Sequence, residues 1–356
     1  MQVTILGGTG SLGAYFAYHL VKSSHNVTII GKENSLNLKQ IAETGLTLKF
    51  CNETVFVPNY SFGFIGSYKN SILTIKQDLV IVSLKQPSLD IKIANQIMNI
   101  TDENSVIGVI SNGLPFYFLS NLNLRFKAHI EAVDLTGEIL QLMHTRKIIT
   151  IMPIMGSNIV APGVIKVISP PDKIKTIIGA KFIDQMKLEL ISKAFDDAQI
   201  KSTVSNKISK NLLENLEFSL AVNVMSALLD KHNGQVFQDE ENQVYIKYVI
   251  EFVNNLGNAL GIKDLRDYDI FKSLNISEAR YSSMHEDYKN AKVPEIKVIV
   301  SAPLELSSYL NLTFPTKPLE IIEELLFFKA NNNSVSLEKI QEIYYESELA
   351  INITEV

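Results

Sequence analysis

The chain has 356 residues, 46% hydrophobic and 20% charged, with a net charge of −5, which suits a globular protein of two domains. The acidic balance gives no electrostatic reason to expect nucleic acid, and no Lys/Arg cluster points to an anionic membrane. A single cysteine, Cys51, leaves no internal disulfide and no cysteine-cluster metal site. With no HExxH or similar spacing, no metal is expected. An apolar strand starting at residue 2 leaves no room for a signal peptide, and no apolar run approaches the ~18 residues of a membrane span. The expectation is a cytoplasmic protein.

The chain opens on MQVTILGGTGSLG, an apolar run through Val3, Ile5 and Leu6 followed at once by Gly8-Thr9-Gly10-Ser11-Leu12-Gly13. AYFAYHLVK then continues with helical spacing. Strand, glycine turn and helix form the context in which GxGxxG binds a dinucleotide. Gly8 is expected to make the tight reversal, Gly10 to let the backbone approach a pyrophosphate, and Gly13 to let the helix lie close on the sheet. The helix N-terminus, with Thr9, Ser11 and Leu12 beside it, offers N–H groups to the phosphates.

Asn26–Ile30 reads as the second strand and ends at Gly31-Lys32-Glu33. A carboxylate at this strand end accepts from the ribose of NAD, whereas a 2′-phosphate needs a cation. Lys32 therefore favours NADP(H), with the adjacent Glu33 weakening the case. Residues 46–50 and 54–57 look like short strands, and 78–85 is a near-continuous apolar strand of the doubly covered, parallel type, ending in Lys85. Val106–Ile110 is the next strand and closes on Asn112-Gly113. Ligands of open α/β sheets bind at such strand ends, which marks Lys85 and Asn112. From about residue 128 to Gly179 the pattern is strand-like, and beyond Phe182 helical periodicity takes over, apart from a short 201–204 strand. The predicted fold is α/β, a Rossmann-type doubly wound sheet over residues 1–182 followed by an all-helical domain over 183–356.

Ile208–Leu229 is the longest helical run. Asn215, Ser219 and Asn223 recur every fourth residue and stack on one stripe beside an apolar one. That pattern suits a cleft wall or, equally, a helix wetting its polar edge.

These residues together make the chain resemble the ketopantoate reductase (2-dehydropantoate 2-reductase) family. The resemblance rests on residues 3–13, Leu84-Lys85, Asn112-Gly113, Leu213–Leu228 set against W-E-K-L-x-x-N-x-x-x-N, Asn233-Gly234, and Ser282-Ser283-Met284 with Glu295 twelve residues beyond Ser283. It implies a Rossmann domain binding NADP(H), a helical substrate domain and an active site between them. It further implies reduction of a small 2-oxo acid, ketopantoate to pantoate in pantothenate and coenzyme A synthesis. Asn112, Ser219, Asn223, Asn233 and Ser283 would then bind substrate, with Ser283 on the carboxylate. Glu295 would bind the substrate hydroxyl and support catalysis, and Lys85, Asn112 and Glu295 would also face the cofactor. The family's general-acid lysine falls on Asn215, and its next asparagine on Ser219. An amide cannot deliver a proton as an ammonium does, and loss of a positioned acid costs about 10²–10⁴ in rate. Lys85 is the preferred substitute among Lys210, Lys231, His232, His285 and itself.

Three Tyr-x-x-x-Lys pairs (Tyr18/Lys22, Tyr268/Lys272, Tyr288/Lys292) match the spacing of short-chain dehydrogenases but do not follow the middle strands of the first domain. A Ser-nucleophile hydrolase lacks G-x-S-x-G. The remaining alternatives are a reductase of a different carbonyl and a non-catalytic NADPH-binding protein. The oligomeric state is left open, a homodimer included.

Overall fold

The computed structural model describes residues 1–68, 75–122, 129–272, 274, 280–331 and 333–354. The chain forms two compact units: Met1–Ser111 with Glu138–Ile208, and Asn112–Gly137 with Ser209–Val356.

Among the described residues the first unit carries twelve strands: β1 (Gln2–Leu6), β2 (Asn26–Gly31), β3 (Gly45–Lys49), β4 (Thr54–Pro58), β5 (Phe64–Ser67), β6 (Leu79–Val82), β7 (Val106–Ile110), β8 (Lys147–Ile154), β9 (Ser157–Ala161), β10 (Val164–Val167), β11 (Lys175–Gly179) and β12 (Ser202–Val204). Eight form one sheet in the order β12-β11-β8-β7-β6-β1-β2-β5, parallel from β8 through to β5. The strand order reverses beside β1, the switch point at which open α/β sheets bind ligands. Val3, Ile5, Val27, Ile29, Val80 and Ile81 are all fully buried, as expected where helices cover both faces. The helix α1 (Ser11–Lys22) buries Ala14, Phe16, Ala17 and Leu20. A second sheet, β4-β3-β10-β9, adds Leu46, Leu48 and Ile165 to the same core.

The expected boundary at residue 182 moves to 208. The helix Gln185–Asp197 returns the chain to β12, which pairs in parallel with β11 and so completes the first sheet. The 201–204 strand therefore belongs to the nucleotide-type fold, not to the helical one. The strand-like pattern expected from about residue 128 begins only at Lys147, residues 123–128 lying outside those described. Residues 112–137 also change sides. The Leu114 N–H donates to the Val298 carbonyl at 3.0 Å, and Glu305 accepts from the Glu131 and Ala132 N–H groups at 2.7 and 2.8 Å, tying this segment into the helical unit.

In the second unit, the α-helices Ile208–Phe218 and Val224–Leu229 are joined by a π-helical turn, Ser219–Asn223. The 20-residue helix Glu240–Ala259 supplies Tyr245, Tyr248 and Phe252 to an aromatic core completed by Phe314. Among the described residues, Ile208–Leu229 is the one helix long and apolar enough to cross a membrane by length and composition, with mean hydropathy 1.3. It is 78% buried within the protein, which marks it as a core helix. Polar residues such as Asn215, Ser219 and Asn223 interrupt it, so it is not one continuous apolar run.

Candidate functional site

The glycine turn is built largely from backbone. Gly7 adopts φ +77°, and a Cβ there would meet the Ser83 carbonyl oxygen at 2.3 Å. The left-handed reversal assigned to Gly8 is thus made by Gly7, while Gly8 is required by its approach to Ile5 and Ile29, each 3.0 Å from a would-be Cβ. Gly13 packs α1 onto the turn, since a Cβ would lie 2.4 Å from the Gly7 carbonyl oxygen. Gly10 is different. The nearest atom to its would-be Cβ is the Gly7 oxygen at 3.2 Å, so space beside it is open on the ligand side.

Gly10 is also the N-cap of α1, and no side chain caps the helix. The first-turn N–H groups of Ser11, Leu12 and Gly13 are left to an anion, and the twelve-residue helix adds its positive end. This donor set fits a dinucleotide pyrophosphate. Two side chains that the sequence did not single out hold the turn. Asn37, buried, donates to the Thr9 carbonyl at 2.9 Å and accepts from the Gly163 N–H at 2.9 Å. The Tyr68 hydroxyl hydrogen-bonds the Gly7 backbone, and burial raises its pKa. Lys32 stands exposed directly beyond β2, where a 2′-phosphate would be read. Lys85, half-buried, lies three residues past β6 at the start of the Gln86–Ser88 turn, so the strand stops short of it.

The second unit joins four of the remaining candidate residues through side chains. The oxygen of the Asn112 amide accepts from the Asn215 amide at 3.1 Å and from the Ser219 hydroxyl at 2.9 Å, and the Asn223 amide donates to the Ser219 oxygen at 3.3 Å. Residues more than a hundred positions apart thus form one hydrogen-bonded ladder. Asn215 and Asn223 are half-buried and Ser219 is buried, so the stripe does not wet a free edge. Two π turns shape its surroundings by releasing carbonyls from the regular helical pattern. The Leu220 carbonyl accepts from the Tyr245 hydroxyl at 3.0 Å, and the Val298 carbonyl, in the π turn Lys297–Ser301, accepts from Leu114. Gly113, at φ +105°, allows that approach, its would-be Cβ lying 2.4 Å from the Val298 oxygen. Glu295, half-buried, precedes this π turn and its carbonyl accepts from the Ile299 N–H at 3.2 Å.

Ser283 is exposed and begins the short helix Ser283–Lys289. Its neighbour Ser282 donates to the Asn223 carbonyl at 2.9 Å, and the Asn233 N–H donates to the Arg280 carbonyl at 2.7 Å. The candidate proton donors of the helical unit have partners of their own. Lys231 pairs with Asp239 at 2.6 Å, Lys210 lies 3.7 Å from Glu214, and His285 lies 3.4 Å from Asp230, with burial lowering its pKa. His232 packs its ring on Tyr281.

On the side of the helix away from the ladder, Glu217 is 0% exposed and faces Arg266 at 3.4 Å. Burial pushes its carboxyl up to about 8 against the opposing pull of Arg266.

Two sequence profiles match this chain: ketopantoate reductase PanE/ApbA over residues 3–117, and ketopantoate reductase PanE/ApbA C terminal over residues 207–326. The 2-dehydropantoate 2-reductase of Aquifex aeolicus (strain VF5) is 23% identical over 319 residues, 88% of this chain and 92% of the relative. Among solved structures, a protein of Ralstonia solanacearum MolK2 provisionally called a ketopantoate reductase shares the fold, with TM-score 0.78, 20% identity and coverage of 93% of this chain and 98% of that one. The ternary structure of D-mandelate dehydrogenase with NADH and anilino(oxo)acetate matches with TM-score 0.75 and 15% identity, over 93% and 99% of the two chains. The chain belongs to the ketopantoate reductase PanE/ApbA family, and with it to the nicotinamide-dinucleotide-dependent oxidoreductases of 2-oxo and 2-hydroxy acids.

Proposed function

We propose that the protein is an NADPH-dependent reductase of a small 2-oxo acid, ketopantoate foremost, yielding pantoate for pantothenate and coenzyme A synthesis. The observation that carries this reading is the ladder in which the Asn112 oxygen gathers Asn215 and Ser219, with Asn223 behind. The internal bonds of the row use only part of its amide and hydroxyl donors and acceptors, which leaves the rest for a polar ligand.

A nicotinamide dinucleotide, when bound, would supply the hydride for the carbonyl carbon, and a proton from the protein would complete the alcohol. Gly10 and the first turn of α1 hold the pyrophosphate, and Lys32 reads the 2′-phosphate, which favours NADPH over NADH. Asn215 cannot pass a proton, so in this reading it orients the carbonyl oxygen by a hydrogen bond. Lys85 delivers the proton from its ammonium group. Asn223, Asn233, Ser283 and Glu295 hold the rest of the substrate.

A second reading, reduction of a different 2-oxo acid, is favoured by one specific feature: Asn215 stands where the family carries its lysine. Steady-state oxidation of NADPH with ketopantoate and a panel of 2-oxo acids separates the two. The expected outcome is turnover that falls about 10²–10⁴-fold in Lys85→Ala. No oxidation with any member of the panel contradicts both readings and leaves a non-catalytic dinucleotide-binding protein.

A further inference from the structure

We propose that Arg280 is the charged anchor of the substrate site, holding the carboxylate of a 2-oxo acid through its guanidinium. The inference rests on the reading of the helical unit as the oxo-acid site.

The ladder residues Asn112, Asn215, Ser219 and Asn223, and Asn233 with them, are all neutral. With Asn215 in place of a lysine, nothing on the ladder helix face offers a positive charge to an anionic substrate. Of the cations nearby in the chain, Lys231 pairs with Asp239 at 2.6 Å and Lys329 with Asp230 at 3.0 Å, while Arg266 lies beside Glu217 at 3.4 Å on the helix side away from the ladder. Arg280 is not so committed. Among the described residues no carboxylate pairs with it, although it is half-buried. Burial lowers the pKa of its guanidinium, and among the described residues no charge partner offsets that partial loss of water. A partly desolvated cation is stabilised by an anion, and a planar guanidinium is matched in geometry by a carboxylate.

The backbone around Arg280 is fixed against the ladder helix. Its carbonyl accepts from the Asn233 N–H at 2.7 Å. Two residues on, the Ser282 hydroxyl donates to the Asn223 carbonyl at 2.9 Å, and the Ser282 N–H donates to the Ser226 hydroxyl at 3.2 Å. Between them the Tyr281 ring stacks on His285 and packs on His232, with centroids 4.0 Å away in each case. Asn233, only 8% exposed, supplies a second and independent sign of a ligand, because its side-chain oxygen is buried without a hydrogen-bond partner. An orphaned acceptor of this kind costs about 1–3 kcal/mol unless a donor arrives. An anionic ligand bearing a hydroxyl answers both groups at once: its carboxylate goes to Arg280 and its hydroxyl to Asn233. Ser283, three residues beyond Arg280 and exposed, adds a neutral donor to the same carboxylate.

The test is calorimetric binding to the NADP-loaded full chain, using pantoate and D-mandelate as probes beside their primary amides. Wild type is expected to bind an acid at least ten-fold more tightly than its amide. In Arg280→Gln that preference falls to near unity through loss of acid binding, with amide binding and NADP affinity unchanged. Arg280→Lys restores part of the preference. In a turnover assay the same loss lies in KM for the 2-oxo acid rather than in kcat. An undiminished acid preference in Arg280→Gln, or no acid preference in wild type, overturns the assignment. Binding that discriminates acid from amide while no 2-oxo acid is reduced breaks the proposed reaction and leaves the anchor standing.

Discussion

The two units prepare for a ligand in opposite ways. In the first, recognition is written in backbone: Gly7 reverses the chain, Gly13 seats the helix, and uncapped N–H groups face the open side of Gly10. In the second it is written in side chains, with Asn112 collecting Asn215 and Ser219. Such a backbone device tolerates little substitution, because a Cβ at Gly7 or Gly13 collides with a carbonyl. A side-chain device can be rewritten one residue at a time while the helix beneath it persists. On the reading proposed above, that contrast lets the glycine turn persist while Asn215 stands where the resemblance expects a lysine.

The largest effects should come from breaking the backbone device. Gly13→Ala puts a methyl 2.4 Å from the Gly7 oxygen and should cost about 1–3 kcal/mol of stability along with NADPH binding, read by thermal melts with and without cofactor. Gly10→Ala meets only the Gly7 oxygen at 3.2 Å. It should melt close to wild type yet bind NADPH at least about ten-fold more weakly, a loss of roughly 1.4 kcal/mol. Equal melting losses in the two variants would deny that Gly10 is kept open for a ligand.

The units also differ in how pH should act on them. Glu217 in the helical unit is buried with a pKa of about 8, against 4.5 for the free group. The folded state holds a proton that the unfolded state has released, so stability declines as pH rises from about 4.5 to about 8 and levels off beyond. His19 in the first unit is the reverse case. Buried and 3.0 Å from the Ala198 carbonyl oxygen, it has a pKa lowered to about 4 from 6.5, mainly by desolvation. Its contribution is complete above 6.5 and is lost as pH falls toward 4. Glu217→Gln should match wild type in stability at pH 5 and exceed it by roughly a few kcal/mol at pH 9, by denaturant titration. A variant less stable than wild type at pH 9 would mean that the ion pair with Arg266 outweighs the burial cost.

The smallest change sharpens the comparison. Ser219→Ala removes the acceptor for Asn223 and one donor to Asn112, and should cost about 1 kcal/mol of stability. Activity toward the 2-oxo acid should fall while NADPH affinity holds, as measured by parallel kinetics and cofactor titration. A parallel loss of NADPH affinity would blur the division between backbone and side-chain recognition.

Much of this division was legible in the chain itself. The apolar runs of β1, β2, β6 and β7 and the four-residue spacing of Asn215, Ser219 and Asn223 are visible in the sequence, but β6 ends at Val82, short of Lys85, and the ladder helix carries a π turn over Ser219–Asn223. The turn chemistry was read one residue late, because adjacent glycines do not reveal which takes the left-handed conformation. The domain boundary was missed because β12 is only three residues long and follows a helix, a pattern that local periodicity cannot assign to a distant sheet. The 112–137 segment joins the helical unit through the Val298 and Glu305 contacts, which are set by tertiary packing. Asn37 and Arg280 escaped notice for the same reason. An isolated amide or guanidinium carries no sequence signal until the fold shows what it holds, or what it lacks.

The most direct measurement of the central claim follows the hydride itself. The full chain is mixed with ketopantoate, or with the most active 2-oxo acid of the panel, and NADPH deuterated at the transferable position of nicotinamide C4, and the product is read by mass spectrometry. The account predicts a 2-hydroxy acid carrying deuterium on the former carbonyl carbon, formed in step with NADPH oxidation. NADPH that binds tightly and stays reduced with every 2-oxo acid offered would contradict it.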